Sequence, residues 1–412
     1  MKNVLFINSG FDIGGIETFL VRAAKKLSND VRFTLLIMSD AVNPKLLEEF
    51  KIYGEVIFLK DLLRIKLTNY AIVRTILPLN ESLVKSKLGP INVIHASCSF
   101  SIALMRRLSQ LLNNKVIESV GVYHSREFLW GDKNNSMRAQ QLSIFNEIPE
   151  KNVVFMNDYT ARLYSKIFKK KYTVALPIGI DTTKYNICKP DFHSCRIVSI
   201  GRLVDFKTYN RHIIKALHEL KKINNGKRFI FEVYGDGEEM VELKALAKNM
   251  GVETTFYGKL DYALMPSVLD GAFLFVGCGT AIVEAAAAGV PSIIGVESMQ
   301  EPLSHGFLTQ TQGLSFQEKG LNLKTYTYTE LLNKLNSLTQ HEYEFLSNEH
   351  RVRADTFSLQ NMERVLSSYY MELESIKFPN VQLGYSYLLN TFAWLIKNKL
   401  NLSKERNTMY DF

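Results

Sequence analysis

Two series of short, continuously apolar, β-rich segments interleaved with helix-period segments, separated by one polar stretch, constrain this chain most. In the first series the strand candidates are residues 3–8, 31–38, 56–59, 93–97, 115–120, 152–157 and 172–176. Their unbroken hydrophobicity suits strands buried on both faces of a parallel sheet, which needs crossover helices to connect them. Between the first two, Phe19, Leu20, Ala23 and Leu27 recur on one helical face. From residue 176 to 195 the periodicity lapses into Pro177, Gly179, Asp181, Lys189, Pro190 and Asp191, the composition of a linker. Strand candidates then resume at 196–201, 229–235, 254–258, 273–276 and 291–296, with helices expected over 209–223, 238–250 and 280–288. The expectation is an α/β chain of two doubly wound, Rossmann-like domains, residues 1–180 and 181–370, facing across a ligand cleft. Residues 371–412, with an amphipathic piece about 383–400, form a C-terminal helical extension for which packing back on the first domain is one arrangement.

With 412 residues, 46% hydrophobic and 22% charged, disorder, collagen and small disulfide scaffolds are excluded. The net charge of +9 suggests anionic partners such as nucleotides, phospholipid surfaces or nucleic acid, without choosing among them. Cys98, Cys188, Cys195 and Cys278 lie too far apart for a CxxC pair and lack a neighbouring histidine at metal-ligand spacing, so a reduced, cytoplasmic chain without structural zinc is expected. The opening apolar run is too short for a signal peptide. Residues 271–296 are apolar enough to suggest a membrane span, but Glu284, Pro291 and the glycines favour strand, loop, helix and strand.

Chemistry is carried by the turns that follow strands. Gly14 and Gly15 close a loop that runs into a helix, where backbone N–H groups and the helix dipole favour an anion, although close packing alone also explains such glycines. Gly201, Arg202 and Lys207 put two cations after a glycine turn, which suits a diphosphate and equally a solvated basic turn. Gly235, Asp236 and Gly237 form another turn, Gly258 and Lys259 a third. Gly277, Cys278, Gly279 and Thr280 feed a helix in which Glu284 is the lone carboxylate among apolar neighbours, so it requires hydrogen-bond donors; a ribose diol would supply two. His124 follows the strand expected at 115–120 and falls at its carboxyl end, although a lone histidine is more often structural. The other seven histidines, His95 and His305 among them, are read as structural.

Taken in order, Gly14-Gly15-Ile16-Glu17, Leu176-Pro177-Ile178-Gly179-Ile180-Asp181, Gly201-Arg202-Leu203 with Lys207, Gly235-Asp236-Gly237-Glu238, and Glu284-Ala285 with Gly289-Val290-Pro291 resemble the motifs of the retaining GT-B nucleotide-sugar glycosyltransferases of glycosyltransferase family 4. The resemblance spans about residues 3 to 300. It implies a nucleotide-sugar donor in the second domain, an acceptor in the first, a diphosphate held by Arg202 and Lys207, a ribose held by Glu284, and His124 near the donor sugar. One departure stands out: the family's first glutamate, eight residues before Glu284, is Val276 here. Donor-sugar contacts would then fall to the backbone amides of residues 277–280 or come from elsewhere, and a carboxylate introduced at 276 is expected to point toward the sugar.

The chain contains no Asp-x-Asp, which argues against a metal-bridged donor. The expected reaction is metal-independent sugar transfer to a glycan or lipid-linked glycan, with no cofactor beyond the donor substrate and no nucleic acid; retention is what the resemblance implies. An epimerase on the same fold and a non-catalytic partner protein are the alternatives, while a dehydrogenase lacks the Gly-x-Gly-x-x-Gly spacing. An amphipathic helix over residues 61–77, with Lys60, Arg64 and Arg74 on its basic side, and a second cluster at Lys166, Lys169, Lys170 and Lys171 suggest a peripheral contact with an anionic leaflet.

Overall fold

The computed structural model describes residues 1–12, 14–65, 68, 70–112, 116–130, 136–223, 228–375 and 385–399. The chain divides into two compact units, Met1–Leu176 together with Met362–Phe412, and Pro177–Asn361. The first holds a six-stranded parallel sheet of β1 (Lys2–Asn8), β2 (Val31–Ile37), β3 (Gly54–Phe58), β4 (Val93–Ala96), β5 (Ile117–Val122) and β6 (Val153–Phe155), in the order β3-β2-β1-β4-β5-β6. Order reverses between β1 and β4, so the loops after these two strands border the switch point.

The second unit repeats the plan with β7 (Arg196–Ile200), β8 (Ile230–Tyr234), β9 (Thr254–Gly258), β10 (Leu274–Gly277) and β11 (Ser292–Ile294), in the order β11-β10-β7-β8-β9. All its neighbours are parallel and the switch point falls between β7 and β10. Helices Tyr209–Ile223, Met240–Met250 and Gly279–Ala287 supply the crossovers. Residues 271–296 are therefore β10, a glycine loop, a buried helix and β11. Among the described residues no helix is long and apolar enough to cross a membrane. Helices Tyr328–Asn336, Gln340–Asp355 and Leu359–Glu372 follow, and Tyr369 and Tyr370 pack around the buried His95 of the first unit.

His95 bonds Ser119 through Nδ1 at 2.8 Å and Tyr123 through Nε2 at 2.9 Å, and burial pushes its pKa down to about 3. His305 is likewise buried, with Nδ1 at 2.8 Å from the Phe316 carbonyl. Both are structural.

Three expectations are corrected. Residues 172–176 form no strand; Ala175 makes a single bridge to Phe155, because the polar linker follows too soon for a ladder to extend. The helix over 61–77 does not form either: the described part is a 3₁₀ turn at Leu59–Leu62, extended chain, and one turn at Ala71–Arg74, with residues 66, 67 and 69 outside the description. Its expected basic side keeps the exposed Arg64 but loses Arg74 and Lys60 to pairing. Arg74 is 3% exposed and pairs with Asp40 at 2.8 Å, as does Lys60, and these two cations hold the Asp40 carboxyl down at about 2. Of the second cluster, Lys170 is spent on the carbonyls of Asn146 and Ile148, capping a turn. The piece expected over 383–400 is helical over Tyr385–Lys399, with residues 383, 384 and 400 outside the description.

Candidate functional site

The carboxyl edge of the second sheet is a stack of glycine turns joined by backbone. Gly201 N–H donates to Tyr234 O at 2.9 Å, Gly235 N–H to Gly258 O at 2.7 Å, and Leu203 N–H to Asp236 O at 2.9 Å. The hydrogen-bond ladder thus continues past the ends of β7 and β8, and three of the sequence-identified turns lie side by side. A Cβ on Gly235 would fall 1.8 Å from Gly201 O, and one on Gly237 2.1 Å from Leu203 O, so glycine is what permits this approach.

Lys207 reaches back over its own loop. Its Nζ lies 3.3 Å from where a Gly201 Cβ would be, and the Tyr209 hydroxyl lies 3.4 Å from the same point. Lys207 is half-buried and Arg202 exposed. Across the switch point, Cys278 caps the Gly279–Ala287 helix from an extended conformation. Its side chain is 3% exposed, with Sγ 3.7 Å from Glu297 Oε1. Burial pushes the thiol up to about 11, Lys207 pulling the other way and Glu297 adding to the rise, so the sulfur stays protonated. The structure therefore brings together Gly201, Lys207, Cys278 and Gly279. Thr280 is exposed on the first helical turn, Gly258 ends β9, and the exposed Lys259 follows it.

Gly277 and Gly279 do not both present open N–H groups. The Gly279 N–H donates to the Gln317 side-chain oxygen, and Gly277 O accepts from Gly295 N–H at 2.7 Å. At the far end of the helix, Gly289 takes a left-handed φ of 80°. Arg351 bonds the carbonyls of Ala287 at 2.8 Å and Ala288 at 2.7 Å, in space that a Cβ on Gly289 would invade.

Glu284 is 3% exposed and accepts a hydrogen bond from Tyr185 Oη at 3.0 Å. Tyr185 closes the 3₁₀ turn Thr182–Tyr185, within the linker stretch. Sequence reasoning missed this donor because 99 residues separate the pair.

Val276 overturns one expectation. It lies in β10, fully buried in the second unit's core, so a carboxylate there would enter the core rather than face a sugar. Val276→Glu should cost several kcal/mol and lower Tm by about 10 °C or more, read by calorimetry. A variant as stable as the wild type would show that position 276 has access to solvent.

In the first unit, the Asn8 side-chain amide donates to Gly10 O and to Glu17 Oε1, both at 2.8 Å, fixing the glycine loop after β1. Gly14 caps the Gly15–Lys26 helix with the Glu17 carboxylate beside it. His124 is exposed two residues beyond β5, and its Nδ1 accepts from Arg126 N–H at 3.1 Å. Gly14, Gly15 and His124 thus all occupy the carboxyl edge of the first sheet.

Two parallel-sheet Rossmann-like α/β domains followed by C-terminal helices constitute the GT-B architecture, and solved GT-B structures match it. Anabaena Alr3699/HepE in complex with UDP and glucose aligns with a TM-score of 0.61 at 15% identity, over 90% of this chain and 100% of that one. A glycosyltransferase from Rickettsia africae gives 0.64 at 14%, over 90% and 98%. The lipopolysaccharide outer core galactosyltransferase WaaB gives 0.58 at 13%, over 90% and 99%. At such identities the likeness establishes the fold. Residues 194–344, which carry the β7 to β11 turns, match the family described as Glycosyl transferases group 1. No curated protein sequence matches.

Proposed function

We propose that this chain is a glycosyltransferase that moves a sugar from a nucleoside diphosphate donor to a glycan or lipid-linked glycan, with retention of configuration and without a metal ion. The observation that carries this reading is the meeting of Lys207, the Gly201 loop and the Gly279–Ala287 helix N-terminus at the β7/β10 switch point, inside the segment that matches the family. Breaking a glycosidic bond to a diphosphate loads negative charge onto the leaving group. A preorganised cation and a helix N-terminus stabilise that charge as it develops. In this reading Lys207 and Arg202 neutralise the diphosphate, residues 277–280 approach it by backbone, Gly258 and Lys259 border the nucleoside, and Glu284 receives the ribose hydroxyls beside Tyr185. Uridine diphosphate sugars are the first donors to try, because UDP occupies the Anabaena HepE structure.

The test is turnover of a panel of UDP-sugars by the purified chain, with and without EDTA, read by mass spectrometry of sugar and nucleotide products. Release of UDP with transfer to a glycan acceptor is expected; an intact donor panel would return the chain to a non-catalytic role. Glu284→Gln should weaken UDP binding about 10-fold or more by calorimetry, since a charge-assisted bond becomes a neutral one. Unchanged affinity would leave Glu284 as no more than the partner of Tyr185.

A further inference from the structure

Sugar hydroxyls need acceptors, and Val276 supplies none. The loop after β11 does. Glu297 lies three residues beyond that strand, half-buried, with its backbone fixed by Glu297 N–H donating to Gln317 O at 3.1 Å. The next residue, Ser298, takes a left-handed φ of 58° and donates its N–H to Phe206 O at 2.7 Å. A non-glycine residue in that conformation is strained, and such strain is kept where the turn is over-determined. It ties the Glu297 loop directly to the Lys207 loop.

The carboxylate meets only a weak donor, the Cys278 thiol at 3.7 Å, and forms no ion pair among the described residues. A carboxylate accepts several hydrogen bonds, so most of its capacity is unused. On the other side of the same thiol, the buried Tyr209 hydroxyl donates to Cys278 Sγ. Glu318, the other carboxylate close by, is turned onto its own loop, accepting from Phe316 N–H at 3.1 Å.

We propose that Glu297 reads the donor's sugar, accepting hydrogen bonds from its ring hydroxyls while Lys207 and the Gly279 helix N-terminus hold the diphosphate. This deepens the transferase reading and rests on it. It also fixes the donor's polarity in the second unit: the diphosphate lies over Gly201 and Cys278, and the sugar extends toward the β11 loop.

The experiment uses the full chain, UDP, the UDP-sugar it turns over fastest, and the mono-deoxy versions of that donor. Glu297→Gln should leave UDP affinity within about 2-fold while kcat/KM for the intact donor falls about 10- to 100-fold, the range for losing charged hydrogen bonds to substrate hydroxyls. One deoxy donor should be poor for the wild type yet no worse than the intact donor for the variant. Glu297→Asp, which keeps the charge on a shorter arm, guards against loss of fold; it should retain UDP binding and show an altered donor preference. Unchanged donor kinetics in both variants would overturn the assignment, as would an equal loss of UDP and donor affinity. A wild type that binds no UDP and turns over no donor would instead fail the transferase reading itself.

Discussion

Replacing Lys207 by alanine should lower kcat/KM for the nucleotide-sugar by about 10²-fold or more, with most of the loss in kcat. The ammonium group is half-buried over the Gly201 turn, beside the buried Cys278, and no carboxylate among the described residues forms an ion pair with it. Its charge is therefore available to a ligand and only partly screened by water. Because the leaving diphosphate gains charge as the glycosidic bond breaks, a fixed cation stabilises the transition state more than the bound donor. Arg202, which is exposed, should contribute less, since solvent and salt screen it. Initial rates over a donor titration, with Tm as a control for folding, measure both. A Lys207→Ala variant with wild-type kcat would detach this loop from the chemistry.

The β7 to β11 strands and their turns were legible in the sequence for one physical reason. Strands buried on both faces must be continuously apolar, and the loops at their carboxyl ends must be small where backbones meet. Residues 196–201 and 273–276 therefore stand out, and the glycines at 201 and 235 mark where the ladder continues beyond the strands. What stayed hidden depends on partners distant along the chain. A 100° periodicity suggested a helix over 61–77 with Arg74 facing water, yet Asp40, 34 residues earlier, draws that guanidinium inward. Glu284 invites a ligand because nothing nearby in the sequence can satisfy it, and Tyr185, 99 residues earlier, donates to it. Glu297 carried no sequence signal, being one glutamate in a loop; only the strained Ser298 and the Gln317 bridge give it a place.

Gly235→Ala should destabilise the second unit by about 3 kcal/mol or more, the largest effect expected from adding a single methyl group here. The added Cβ would meet Gly201 O at 1.8 Å, a backbone atom with no rotamer to yield, and φ at 152° is one that L-residues rarely adopt. Relief by backbone movement is blocked on both sides, because Gly201 N–H is bonded to Tyr234 O and Gly235 N–H to Gly258 O. Any shift that admits the methyl must break one rung of that ladder and push the Gly201 loop, with Lys207 above it, out of place. UDP affinity should therefore fall along with stability. Gly258→Ala is the informative comparison: φ is 75°, but nothing lies within 4 Å of its Cβ position, so only the left-handed backbone cost of about 1–2 kcal/mol applies. Urea titrations of the two variants, with m held constant, should order them with Gly235→Ala clearly the weaker. The reverse order, or a Gly235→Ala variant as stable as the wild type, would mean that the turns after β7 and β8 are not in backbone contact and that Lys207 is not held where the diphosphate reading needs it.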